Sequence, residues 1–121
     1  MSERNKEFVE RVYNEFVNGN IQVLRDTLKE DFIEHSPGNP SGRDAFVEFI
    51  AASPISGARF DLKRVIADER HAVVHYEMTL PGAERGVAVV DIWRIEDGLI
   101  AEHWDVLQPV PDASEIPNGM F

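Results

Sequence analysis

The sequence predicts an α+β fold in which three N-terminal helices pack on one face of a curved antiparallel sheet. Two observations support this prediction. Apolar residues recur at helical spacing in the N-terminal part of the chain, whereas the rest contains four segments rich in β-branched and aromatic residues. Short turn sequences separate the four segments, as in an antiparallel meander. The length of 121 residues fits a single domain, which we place over residues 1–121.

The first helix is predicted over residues 2–18, where the apolar side chains repeat with a period of 3.6 residues. They form one broad stripe, made of Phe8, Val9, Val12, Tyr13, Phe16 and Val17. A second, shorter helix is expected over residues 21–29, with its apolar side chains turned inward. Both helices should therefore cover the core with one face.

The third helix is predicted to begin at Ser41, because Ser41 and Asp44 nearly match a capping box. Phe46 belongs to its buried face, and Pro54 ends it. The segment before it, "DFIEHSPGNPSG" at residues 31–42, combines a short apolar piece with a loop rich in proline and glycine. We expect no helix there.

Four long strands are predicted after the third helix. They are "RFDLKRVIA" at 59–67, "HAVVHYEMTL" at 71–80, "RGVAVVDIWRI" at 85–95 and "LIAEHWDVL" at 99–107. The tail "PVPDASEIPNGMF" contains too much proline for a regular element, so we expect it to run along the surface.

The composition excludes several classes of partner. The formal charge of −10 disfavours nucleic acid and anionic membranes, because both require a basic surface. The chain has no cysteine, which excludes disulfides and thiolate chemistry. No stretch approaches the ~20 apolar residues of a membrane span, and "MSERNKEFVE" lacks the apolar core of a secretory signal. We therefore expect a soluble cytoplasmic protein.

The turn between the last two strands decides which polar residues share a face of the sheet. If "EDG" forms a three-residue loop, Asp91 lies opposite His103, and Asp105 projects from the same face. A two-residue Asp-Gly turn would instead place Asp91 beside Trp104. We favour the three-residue loop because it gathers the polar residues on one face.

A buried carboxylate beside an imidazole is suited to general acid–base catalysis, because each group can shift the pKa of the other toward working pH. The alternative is a polar network that only fixes the register of the strands. Two further histidines favour catalysis: we expect His35, just before the Pro/Gly loop, and His75, inside a strand, to join the same cavity. His71 should be solvated.

No cofactor or metal site is predicted from the residues. Three histidines and two aspartates could bind a metal, but no His-x-His or His-x-x-x-His spacing appears. The sequence also lacks a phosphate loop, a dinucleotide-binding fingerprint and a nucleophile elbow.

The opposite face of the sheet is predicted to be apolar enough to bind a second copy of the chain. The residues that we place there are Ile92, Ile100, Trp104 and Val106. An apolar patch of this kind rarely remains exposed to water, so we expect a homodimer.

Three stretches resemble the SnoaL-like polyketide cyclase family within the NTF2-like superfamily: "DFIEHSP", "VVHYE" and "VVDIWRIEDGLIAEHWDVLQPVP". The resemblance extends over nearly the whole chain. It implies a cone-shaped α+β barrel with a deep pocket between sheet and helices, and a homodimer formed through the outer sheet face. It also implies acid–base catalysis with no cofactor or metal.

The resulting hypothesis is an acid–base enzyme that moves a proton next to the carbonyl group of a small, largely apolar molecule. Its reaction type would be that of an aldol-type cyclase, an isomerase or a related lyase. The predicted catalytic residues are Asp91 as the base, His103 as its proton partner, Asp105 orienting His103, and His35 polarising the substrate oxygen. The predicted substrate-binding residues are His75, Trp93, Tyr13 and Phe46. Two alternatives stay open: a non-catalytic binding module that uses the same cavity, and a domain that mainly dimerises.

Overall fold

The computed structural model describes residues 2–121, and its three helices agree with the predicted order. They are α1 at Ser2–Val17, α2 at Gln22–Thr27 and α3 at Arg43–Ala52. The capping role predicted for Ser41 is wrong: α3 follows Gly42 without a side-chain cap. The Ser41 hydroxyl instead accepts a hydrogen bond of 3.0 Å from the backbone N–H of Glu34, so it holds the loop that precedes the helix.

The sheet contains five strands rather than four. They are β1 at Leu28–Glu34, β2 at Arg59–Ala67, β3 at His71–Thr79, β4 at Val87–Glu96 and β5 at Leu99–Pro109. The strand order is β1-β5-β4-β3-β2, and β2 to β5 form the predicted antiparallel meander. The additional strand β1 pairs parallel with β5, at an edge of the sheet.

The helices cover one face of this sheet, which we call the inner face. Along β3, buried and half-buried residues alternate strictly, and Ala72, Val74, Tyr76 and Met78 are the buried ones. This period of two is that of a strand with one face in the core. The α+β fold predicted from the sequence is thereby confirmed.

The turn between β4 and β5 differs from the prediction. Glu96 pairs with Leu99, which leaves a two-residue loop of Asp97 and Gly98. Both loop residues have positive φ, 54° and 77°, as the primed hairpin turns require. The prediction of a three-residue loop is therefore wrong.

A β-bulge restores the predicted sharing of faces. The register shifts after Ile95, which pairs with Ile100, so that Arg94 pairs with Glu102 and Ala101 is the additional residue. A two-residue turn alone would have moved Asp91 and His103 to different faces. Because the turn and the bulge each shift the register by one, their effects on the faces cancel. Asp91 then lies opposite Asp105, and His103 lies opposite Trp93.

Because of the bulge, the residues on the outer face differ from those predicted. Ile100, which we predicted there, is only 2% exposed and belongs to the core. Val106, in contrast, is 68% exposed.

The tail after β5 has only a 3-10 turn at Ala113–Glu115, and the ring of Phe121 lies 5.4 Å from that of His75 on the outer face. None of the helices within residues 2–121 is long and apolar enough to cross a membrane.

Candidate active site

A pocket of about 110 Å³ lies between the helices and the inner face of the sheet. An engineered apolar cavity of ~150 Å³ binds benzene, so the space suits a small molecule. Most of the lining is apolar, and the lining includes no lysine or arginine from the described part of the chain. The polar or titratable groups that line it are Tyr13, Asn39, Tyr76, Asp91, Trp93, His103 and Asp105.

Asp91 is buried at the wall of the pocket and holds three hydrogen bonds. Its Oδ2 atom accepts from the hydroxyls of Tyr13 and of Tyr76, the latter at 2.8 Å. Its Oδ1 atom lies 2.9 Å from Nε2 of His103. A carboxylate that is removed from water requires such donors, so these side chains stabilise Asp91 as an anion.

The two tyrosines are neutral donors. Burial raises the pKa of Tyr13 and of Tyr76 well above the ordinary value, and the charge of Asp91 raises both further. Their hydroxyls therefore stay protonated at any physiological pH. Tyr13 is in turn held by Trp93, whose Nε1–H donates to the Tyr13 oxygen at 2.8 Å.

His103 lies between two carboxylates. Its second ring nitrogen, Nδ1, is 2.7 Å from Oε1 of Glu34, whose side chain is fully buried. Burial by itself lowers the pKa of His103, but the hydrogen bonds to Asp91 and Glu34 outweigh it and raise the pKa to about 9. His103 is therefore an imidazolium at neutral pH, and its ring stacks on Trp93 with centroids 3.9 Å apart.

Asp105 has one carboxylate oxygen whose hydrogen-bonding capacity is not used. Its Oδ1 atom is buried and has no hydrogen-bond partner among the described residues. Burial raises the pKa of the Asp105 carboxyl, an effect that the Ser36 hydroxyl and His103 oppose and the charges of Asp91 and Glu34 reinforce. A buried acceptor without a protein partner is uncommon and requires a donor from a water molecule or a ligand.

The structure brings together six of the predicted site residues. Asp91, His103 and Asp105 face the pocket, and so do Tyr13, Trp93 and Phe46. Phe46 is 4% exposed and packs on Phe32 with ring centroids 4.9 Å apart, so it forms part of the apolar wall.

His35 is not part of this pocket, contrary to the expectation from the sequence. Its Nε2 atom lies 2.6 Å from Glu102 Oε2, and its ring stacks on Trp104 with centroids 4.9 Å apart. The side chain is 42% exposed. The backbone N–H of His35 bonds to the carbonyl oxygen of His103, but its ring turns to the outer face.

His75 also lies outside the pocket. It occupies an outward position of β3, between the buried residues Val74 and Tyr76, and its ring contacts Arg64. Burial and the charges of Arg64 and Lys63 lower the pKa of His75. The alternation of β3 could have revealed this, because Val74, Tyr76 and Met78 mark the inner face and His75 is out of phase with them.

Sequence reasoning missed three polar residues of the site, Tyr76, Asn39 and Glu34. Tyr76 shares the inner face of β3 with Val74, so the alternation pointed to it. Glu34 gave no such signal, because its position next to His103 depends on the parallel pairing of β1 with β5.

The geometry does not favour a metal at this cluster. One ligand atom from each of Asp91, His103 and Asp105 can be chosen so that all lie within 4.8 Å of one another. Both ring nitrogens of His103 already face carboxylates, however, and a metal-bound imidazole must give up a proton. A metal ion would have to displace one of these contacts.

Known structures resemble this fold at low sequence identity. An NTF2-like protein of unknown function from Burkholderia xenovorans superposes with a TM-score of 0.80 at 17% identity, covering 98% of this chain and 97% of that one. A candidate ketosteroid isomerase from Kribbella flavida gives 0.78 at 19% identity, with coverage of 95% and 88%. A candidate SnoaL-like polyketide cyclase from a Jannaschia species gives 0.74 at 20% identity, with coverage of 98% and 92%. These likenesses establish an NTF2-like fold.

Sequence comparison identifies the family. No curated protein sequence matches the chain. The family of SnoaL-like domains matches over residues 9–103, which includes the C-terminal part of α1, all of β1 to β4 and the histidine of the site on β5. The chain therefore belongs to the SnoaL-like domain family, within the NTF2-like fold.

Proposed function

We propose that this protein is an acid–base enzyme that transfers a proton next to the carbonyl group of a small, neutral, largely apolar compound, without a cofactor. The reaction would be of the aldol-cyclase, isomerase or related lyase type. The observation that supports it most strongly is the buried, unpartnered Oδ1 atom of Asp105 in an otherwise apolar pocket. A carboxylate with a free oxygen and a raised pKa is suited to receive a proton.

In this proposal Asp105, rather than Asp91, acts as the base. Asp91 already accepts three hydrogen bonds, which stabilise its charge and leave it little capacity to act on a substrate. Asp105 removes the proton from the carbon beside the carbonyl, and the C–H electron pair moves into the enolate. In an isomerase-type reaction, Asp105 returns the proton to another carbon of the enolate. In an aldol-type closure, the enolate carbon attacks a second carbonyl carbon of the substrate, the electron pair of that C=O bond moves to its oxygen, and this oxygen takes the proton from Asp105.

The enolate oxygen requires a hydrogen-bond donor in a site with little water. Tyr13 and Tyr76 are the suitable neutral donors, because their raised pKa keeps both hydroxyls protonated. One of them would exchange its bond to Asp91 for a bond to the substrate oxygen, while His103 continues to balance the charge of Asp91. A substrate with a carboxylate is disfavoured, because the pocket lining described here offers no lysine or arginine to receive it.

The experiment is deuterium exchange. Compounds that copurify with the protein are identified by mass spectrometry. These and a set of neutral ketones, including cyclohexanone and acetophenone, are then incubated with the protein in D2O. The proposal predicts that a bound compound incorporates deuterium next to its carbonyl much faster than it does without protein. Binding with no exchange in any compound would contradict the proposal.

That contradicting outcome is the prediction of the second candidate function, a non-catalytic binding module. It is favoured by the hydrogen bonds within the cluster. Asp91 accepts from three donors, and both ring nitrogens of His103 bond to carboxylates. Such a network can hold a ligand without chemistry.

We also propose that two copies associate through the outer face of the sheet. Val106 on β5 and Ile66 on β2 are 68% and 63% exposed, and the half-buried Trp104 and Ile92 lie between them along the sheet. Large apolar side chains at this exposure favour burial against a partner.

A further inference from the structure

We propose that Glu34 is a positioning residue of the site: its carboxylate holds His103 doubly protonated against Asp91 and ties the loop 35–42 to the rim of the pocket. This inference deepens the proposed function and depends on it for its catalytic meaning. The physical arrangement on which it is based can be tested independently.

The side chain of Glu34 has no exposed surface. The other charged residues of the same edge strand, Lys29, Glu30 and Asp31, are half-buried or exposed. An ionised carboxylate in such a place is unfavourable unless it is paired and hydrogen-bonded. Hydrophobic residues at the same position would cover the core without this cost. A buried glutamate therefore indicates a requirement for its charge.

Four donors surround the carboxylate of Glu34. The Oε1 atom accepts from His103 Nδ1 at 2.7 Å and from the backbone N–H groups of His35 at 2.9 Å and Ser36 at 3.2 Å. The Oε2 atom accepts from Asn39 Nδ2 at 3.2 Å. A single side chain thus binds the imidazole and the loop, and Asn39 lines the pocket.

The register of β1 against β5 places Glu34 beside His103. Glu34 lies opposite His103 in the parallel pairing of β1 and β5, so the backbone fixes the distance between the two side chains. The groups that face His103 are Glu34 from β1, Asp91 from β4 and Asp105 from its own strand. No lysine or arginine of the described chain forms an ion pair with either Glu34 or Asp91, so His103 supplies the positive charge.

The two carboxylates fix the protonation state of His103. With Asp91 as its only partner, His103 could remain neutral and donate a single N–H. With a carboxylate at each nitrogen, both N–H groups are needed, and the ring cannot rotate without losing one bond. Glu34 thereby keeps a fixed positive charge beside Asp91 and leaves Asp105 as the carboxylate available to a substrate.

The test measures the ring of His103 directly. In ¹⁵N-labelled protein at pH 7, we expect both ring nitrogens of His103 to show the chemical shifts of an imidazolium, with the signals assigned by their loss in His103→Gln. In Glu34→Gln, which keeps the shape and the acceptor oxygen, the pKa of His103 should fall by at least one unit. The upper limit of the pH–rate profile for deuterium exchange should shift to lower pH by the same amount.

Glu102→Gln is the matched control. Glu102 pairs with a different histidine, His35, on the outer face, so this variant should leave the His103 signals unchanged. An unchanged His103 pKa in a folded Glu34→Gln protein, followed through the ring ¹⁵N signals as the pH is raised, would overturn the inference. Should that variant fail to fold, the wild-type spectrum decides: a His103 ring with one unprotonated nitrogen at pH 7 would also overturn it.

The two proposals can fail separately. A lowered His103 pKa in Glu34→Gln, with no deuterium exchange in the wild type, would support the arrangement and contradict catalysis. Deuterium exchange that is insensitive to Glu34→Gln would support catalysis and overturn the role of Glu34.

Discussion

Asp91 lies directly opposite Asp105 in the antiparallel pairing of β4 and β5, with both side chains on the face that the helices cover. Like charges in opposite positions destabilise a sheet. The structure compensates at one of the two positions: Asp91 has His103 and two tyrosines as partners, whereas Asp105 retains a buried oxygen without one. A position that costs stability and lines a pocket is typical of a functional residue.

Asp105→Asn should therefore raise the stability of the protein. The neutral amide removes the repulsion with Asp91, and its N–H can donate to that carboxylate. We expect the free energy of unfolding, measured by urea denaturation at pH 7, to rise by roughly 1 kcal/mol. Asp31→Asn, at an exposed position of β1, is the control and should have little effect. A loss of more than about 1 kcal/mol in Asp105→Asn would mean that the carboxylate is structural.

The two tyrosines that bind Asp91 should differ in their contributions to stability. Tyr76→Phe removes one hydrogen bond from the Asp91 carboxylate, at an expected cost of about 1.5–3 kcal/mol in the free energy of unfolding, since hydrogen bonds to charged groups are the stronger ones. Tyr13→Phe removes the equivalent bond and also leaves the Nε1–H of Trp93 without its acceptor. Its cost should be about 1–3 kcal/mol larger, since a buried unpaired donor adds its own penalty. Equal effects of the two substitutions would contradict the chain of bonds described here.

The free energy of unfolding should decrease as the pH rises from mildly acidic to alkaline, because His103 loses its proton. Its pKa is raised from an ordinary value near 6.5 to about 9 in the folded protein. The contribution is therefore fully present below pH ~6.5, the value of the unfolded chain, and is lost as the pH rises through 9. The difference corresponds to roughly 3 kcal/mol.

Urea denaturation at several pH values between 6 and 10 measures this loss. His103→Gln serves as the control: its stability should be lower at pH 6 and should change much less over the same range. A wild-type curve that coincides in slope with that of His103→Gln would show that His103 is not held as an imidazolium.

Association through the outer face should depend on Val106. A charge at this exposed apolar position cannot be buried against a second copy without a large penalty. We expect wild type to sediment as a dimer at micromolar concentration and Val106→Glu to sediment as a monomer. Asn18→Glu, which adds the same charge beyond the end of α1, should remain dimeric. Wild type that sediments as a monomer would contradict the proposed interface.

The sequence predicted the strands of the meander closely, because their alternation and turn residues are local signals. It did not predict β1, whose residues 28–34 include four charged side chains and only two fully buried apolar ones. As an edge strand that pairs in parallel with the far end of the chain, β1 depends on a tertiary contact that no local pattern encodes. The role of Glu34 was hidden for the same reason.

The shared face of Asp91, His103 and Asp105 was predicted correctly, but for a wrong reason. Asp97 and Gly98 form the tighter turn, and the bulge at Ala101 compensates for it. Ile100 and Ala101 are both buried, and two consecutive buried residues are the only local sign of that bulge. The presence of several histidines in the sequence did not show which of them line the pocket. His35 follows β1, and its ring turns to Glu102 on the outer face.

The most direct test of the central claim compares the rate of deuterium incorporation by wild type and by Asp105→Asn, at equal pH and with the same bound carbonyl compound. If the free oxygen of Asp105 accepts the substrate proton, the rate constant should fall at least tenfold while binding is retained. Equal rates in the two proteins would show that the proton goes elsewhere and that Asp105 is not the base.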